Sequence, residues 1–186
     1  ADRVDAATDP ATEEPAGPDD RARVVFVTDY ALGLVNGTFG GFAPGPAPPD
    51  DAFAVALAAT APDELDVRGL VITHGNDVMA AEVIAATQGL EEMGLDIPVI
   101  AGPAIPLPNP PIETVDGAPL TGSCIDDGVR FLADELRDGP LTVLAIGPFS
   151  ALACLALEYP DEAANIDEVI ALAGSKGEPL LLRTPT

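Results

Sequence analysis

From Arg23 onward, short apolar runs alternate with amphipathic segments. Val24-Val25-Phe26-Val27, Val71-Ile72, Pro98-Val99-Ile100 and Val143-Leu144-Ala145 are unbroken by polar residues, as strands buried on both faces require. This pattern predicts strands near 24–29, 67–73, 97–101, 141–146 and 168–173, and helices near 51–61, 78–93, 126–138 and 149–158. Strand and helix in strict alternation predict right-handed βαβ units. The expected fold is therefore an α/β three-layer sandwich with a mainly parallel, Rossmann-like sheet. Neither a dinucleotide-binding glycine fingerprint nor a P-loop accompanies it.

Two stretches break the alternation. Residues 30–49 are rich in Gly and Pro, and residues 102–123 carry Pro103, Pro106, Pro108, Pro110 and Pro111. Both read as long loops leaving the carboxyl ends of strands, the edge where open α/β sheets bind ligands. Residues 1–22, dominated by Ala, Asp, Glu, Pro and Thr, show no apolar period and read as a disordered acidic arm.

Composition narrows the function. A chain of 186 residues suits one domain with a substantial core. The net charge is −23, Lys176 is the single lysine and tryptophan is absent. Such a surface repels a phosphate backbone, so nucleic acid is excluded as a partner. No run is long and apolar enough to predict a membrane span. Cys124 and Cys154 match no zinc spacing, and Cys154, within an apolar helix, reads as a buried free thiol. The chain begins with Ala1, which leaves the compartment open between cytoplasmic and exported after signal removal.

The candidate chemistry lies at predicted strand ends. Asp29 closes an apolar strand, where a charge is costly unless it is paired or metal-bound. Asp50 and Asp51 open an apolar helix. Taken alone they suit an N-cap and a first-turn acid, but with Asp29 they form an oxygen-rich set for a hard cation such as Ca²⁺ or Mg²⁺. Adjacent residues at a helix start point in different directions. One carboxylate can thus hold the cation while the other faces an activated water.

His74-Gly75-Asn76-Asp77 ends the second strand. The Asn76 amide there could meet a sugar hydroxyl or cap the following helix, and His74, the only histidine, reads as a partly buried structural residue. Ile146-Gly147-Pro148 ends the fourth strand, where a backbone carbonyl can serve a hard cation. Ser150 follows without a histidine nearby in sequence or a nucleophile elbow, which argues against a serine hydrolase.

These segments together resemble the inosine–uridine-preferring nucleoside hydrolases. The family's D-x-D-P-G-x-D-D strand and following helix are similar to Val27-Thr28-Asp29 and Asp50-Asp51-Ala52-Phe53-Ala54-Val55-Ala56-Leu57-Ala58. Its G-N is matched by Gly75-Asn76, and its I-P-V-x-x-G-x-x-x-P-L by Ile97-Pro98-Val99 through Gly102 to Pro106-Leu107. Its G-P-L-T-N-L-A is matched by Gly147-Pro148-Phe149-Ser150-Ala151-Leu152-Ala153, and its M-G-G by Leu172-Ala173-Gly174. Val27 stands where the family has the first aspartate, and residues 30–49 replace a short link.

The resemblance implies a nucleoside hydrolase-like fold and hydrolysis of the N-glycosidic bond of a ribonucleoside. By it, Asp29, Asp51 and the Ile146 carbonyl would hold Ca²⁺, Asp50 would be the general base, and Asn76 and Leu172 would meet the substrate. The family's later E-F-N and H-D segments have no counterpart by Thr186. The domain over 23–186 is thus expected to be incomplete at its C-terminus, with a second chain or a homo-oligomer completing the site. The alternative is a non-catalytic subunit that keeps the fold for binding or structure.

Overall fold

The computed structural model describes residues 20–34, 46–104 and 126–173. Its elements run β1 (Ala22–Thr28), α1 (Asp50–Ala58), β2 (Leu65–Ile72), α2 (Met79–Met93), β3 (Val99–Ala101), α3 (Asp127–Asp138), β4 (Leu141–Ala145), α4 (Ser150–Glu158), α5 (Pro160–Ala163) and β5 (Ile166–Ala171). The strands form one sheet in the order β3-β2-β1-β4-β5, with every neighbouring pair parallel. The expected mainly parallel α/β architecture is what the chain adopts.

Alternate residues of β1 feed two cores. Val24 and Phe26 face α1 and α2 with Leu70 and Ile72, around Val55 and Leu90. Val25 and Val27 face α3 and α4 with Val71 and Val143, around Leu132, Leu136 and Leu155. A strand covered on both faces must be apolar at every step, which is why β1 reads as an unbroken run. Val27 belongs wholly to the second core and is fully buried.

Local signals place the helices. Asp126 caps α3, its carboxylate accepting from the Val129 N–H at 2.9 Å. Val129, Leu132, Ala133 and Leu136 then recur at helical spacing on the buried face. Gly94 ends α2 in the left-handed region at φ 70°, a conformation that glycine adopts without a Cβ penalty. The short α5 was not anticipated, because four residues are too few to carry a helical period.

Cys154 is buried in the α3/α4 layer and is disulfide-bonded, which corrects the expectation of a free thiol. Its apolar surroundings signalled burial but carried no information on pairing. Cys124, most of the acidic arm, and most of both Gly/Pro-rich stretches lie outside the described residues. The arm's last residue, Ala22, already belongs to β1. No helix among the described residues is long and apolar enough to cross a membrane.

Candidate active site

β1 and β4 are neighbours whose onward connections run to opposite faces of the sheet. The chain leaves β1 for α1 on one side and β4 for α4 on the other. A crevice opens at such a switch point, beyond the carboxyl ends of the strands. Asp29, Asn76, Gly102 and Ile146 follow β1, β2, β3 and β4 and so share this edge, while Gly174 lies outside the described residues.

Asp29 is enclosed by its neighbours' turns. Thr73 N–H donates to the Thr28 carbonyl at 2.8 Å, and the Ile146 and Gly147 N–H groups both donate to the Val27 carbonyl, at 2.9 and 3.0 Å. These bonds draw the turns after β2 and β4 against the end of β1. A Cβ on Gly75 would overlap the Asp29 carboxylate, and one on Gly147 would come within 2.6 Å of the Asp29 amide nitrogen and 2.9 Å of its Oδ1. The carboxylate therefore sits in a slot between two glycines, both required by close approach.

Asp51 enters from the first turn of α1 and is buried, whereas Asp50 beside it is exposed. Neither caps the helix: the N-cap is Pro49, without a side-chain bond. The Asp51 carboxyl instead lies near that of Asp29, close enough for each to act on the other's ionisation. Burial, reinforced by the Asp29 charge, pushes Asp51 up to about 7. Burial also raises Asp29, against the pull of its own and neighbouring backbone N–H groups. The buried Thr28 hydroxyl lies beside Asp51 without completing a well-formed hydrogen bond.

This pair fits a hard cation. A buried carboxyl beside a half-buried one is costly to ionise along with its neighbour unless a proton or a cation lies between them. An under-satisfied hydroxyl adjoins them, and the exposed Asp50 adds further negative charge. Among the described residues no group of three or more His, Cys, Asp or Glu side chains converges as a metal cluster. Among the described residues, further ligands to a cation at Asp29 and Asp51 would therefore be carbonyl oxygens.

The remaining candidates fall as follows. Asn76 Nδ2 donates to the Asp29 carbonyl oxygen at 2.9 Å, so this amide ties the β2 turn to the end of β1 and does not cap α2, whose N-cap is Val78. Leu172 is exposed just past β5, its N–H donating to the Ala145 carbonyl at 3.0 Å. His74 Nε2 lies 3.3 Å from Ser150 Oγ, a meeting hidden by their separation in sequence, and burial lowers the pKa of the imidazole.

Glu82 was missed. It is fully buried, its Oε1 accepts from the Asp77 N–H at 2.6 Å, and burial pushes it up to about 8. A signal was present, because Glu82 falls between Met79 and Ala86 on the core-facing stripe of α2.

The sequence profile of the inosine-uridine preferring nucleoside hydrolases matches residues 44–179. The chain belongs to the nucleoside hydrolase family. It is 32% identical over 145 residues to the non-specific ribonucleoside hydrolase RihC of Salmonella agona, an alignment covering 69% of this chain and 46% of that relative. The purine-preferring ribonucleoside hydrolase from Gardnerella vaginalis shares its fold with a TM-score of 0.60 at 17% identity, over 82% of this chain and 49% of that one. The inosine-uridine preferring nucleoside hydrolase from Bacillus anthracis does so with a TM-score of 0.53 at 17% identity, over 80% and 49%. The chain thus spans about half the length of the nucleoside hydrolases it matches.

Proposed function

We propose that this chain carries the cation-binding half of a ribonucleoside hydrolase site that uses Ca²⁺. The observation that supports this reading best is the nearness of the buried Asp51 carboxyl to Asp29, whose own carboxylate is held in a glycine slot at the sheet's switch point. Family membership supplies the substrate class, a ribonucleoside whose N-glycosidic bond is cleaved by water to give ribose and a free base.

In this reading Asp29, Asp51 and the Ile146 carbonyl hold the cation. When bound, Ca²⁺ supplies positive charge that makes a neighbouring water easier to deprotonate. Asp50 is exposed beside the pair and takes the proton from the attacking water. Asn76 and Leu172 meet the nucleoside from the ends of β2 and β5. Asn76 does so with whatever its bond to the Asp29 carbonyl leaves free, chiefly Oδ1. A second chain, a further segment or another copy completes the site.

The deciding measurement is ribose release from inosine and uridine by the complete assembly, with and without a chelator. Release that chelation abolishes and Ca²⁺ restores is expected. No release from the complete assembly would favour a non-catalytic binding or structural subunit, a reading that Val27 in place of the family's first aspartate also favours.

A further inference from the structure

The turn that encloses Asp29 is itself anchored from α2. Glu82 Oε1 accepts from the Asp77 N–H at 2.6 Å. One residue back along the turn the Asn76 side chain donates to the Asp29 carbonyl, and at the next residue back a Cβ on Gly75 would overlap the Asp29 carboxylate. A continuous line of contacts therefore runs from α2 through residues 75–77 to Asp29.

Ordinary helix capping does not account for Glu82. In a capping box the acidic residue at the third helical position returns to the N-cap N–H. Here Glu82 is the fourth residue of α2 and reaches past the N-cap Val78 to Asp77, outside the helix. Packing does not account for it either. Glu82 is fully buried with Oε2 lacking a partner, a cost that an apolar side chain in the same place would avoid.

We propose that Glu82 is a positioning residue: from α2 it holds the Gly75–Asp77 turn, and through that turn it sets the place of Asp29. The importance of that place for chemistry rests on the proposed role of Asp29, but the contact line itself does not.

The test uses the full 186-residue chain and two variants. Glu82→Gln keeps an acceptor oxygen, while Glu82→Met keeps the bulk and removes the acceptor. In ¹H–¹⁵N spectra, Glu82→Met is expected to shift the Asn76 side-chain amide and to speed hydrogen exchange at the Asp77 amide by about tenfold, as loss of one hydrogen bond implies. Glu82→Gln is expected to leave both near wild type. Unchanged Asn76 and Asp77 signals in a folded Glu82→Met variant would overturn the proposal. So would a Glu82→Gln variant that loses them as fully, and this second comparison decides the matter if Glu82→Met does not fold. Unaltered amides would leave the hydrolase reading standing, whereas absence of ribose release would leave the amide result standing.

Discussion

At the residue scale, the site turns on one carboxylate and what encloses it. Asp29 is held on its flanks by Gly75 and Gly147 and faces Asp51, so its side chain has little freedom. Replacing Asp29 with Ala removes the only acidic side chain at the end of β1. Calcium or terbium binding, followed by calorimetry or sensitised luminescence, is then expected to disappear. Gly75→Ala leaves every carboxylate in place yet drives a methyl group into the space of Asp29. We expect it to weaken cation binding by at least about tenfold, in line with other losses of ligand orientation; an unchanged affinity would mean that the turn yields freely. Asp50 tests the division of labour. If it is the base, Asp50→Ala in the active assembly lowers turnover by about 10²–10⁴-fold while cation affinity changes little. An equal loss of both would make Asp50 a ligand instead.

At the scale of elements, α1 and α2 each bring a buried acid toward the end of β1. Asp51 and Glu82 are raised from 3.8 and 4.5 to about 7 and about 8, with burial as the leading cause in both. A folded state with raised carboxyl pKa values binds more protons than the unfolded chain across that interval. Their contribution to stability is therefore complete below about pH 4 and is lost as pH rises toward 8. The cation-free chain should melt at progressively lower temperature between those limits. Glu82→Gln cannot titrate, so its melting temperature should fall less steeply over the same range. Equal slopes in thermal melts of the two proteins would show that Glu82 is ionised in the fold. Added Ca²⁺ should stabilise most at the alkaline end, where its ligands ionise at least expense.

At the scale of the whole molecule, the described sheet ends at β5 in a strand that stays largely exposed. Adjacent residues of β5 point to opposite faces, yet Val169 and Ile170 are 46% and 51% exposed, so the described residues leave both faces of this strand largely open. Relatives are about twice as long as the matched region. We therefore expect the 186-residue chain by itself to release ribose barely above background. A partner supplying the remainder of the family's length should raise that rate by orders of magnitude. Full activity of the isolated chain would show that two carboxylates and the carbonyls around them suffice.

The apolar runs of β1, β2 and β4 and the helical stripe of α3 were legible in the sequence because burial on two faces, or on one stripe, leaves a period that composition cannot hide. Asp29 stood out for a related reason, as a charge at the end of a buried strand, and it drew the Asp50-Asp51 pair at the start of α1 into the same candidate set. Strand order was not legible, since alternation of strand and helix is compatible with several arrangements. Only the packed sheet sets β1 beside β4 and opens the crevice between them. The same packing presses Gly75 and Gly147 against one carboxylate, turns Asn76 toward the Asp29 backbone and buries Glu82 beneath the turn. The sequence by itself determined the strands, the longer helices and the acid that closes β1. Which groups touch, and which must share a proton or a cation, was decided by tertiary structure, because such contacts depend on distances across the fold that no local pattern encodes.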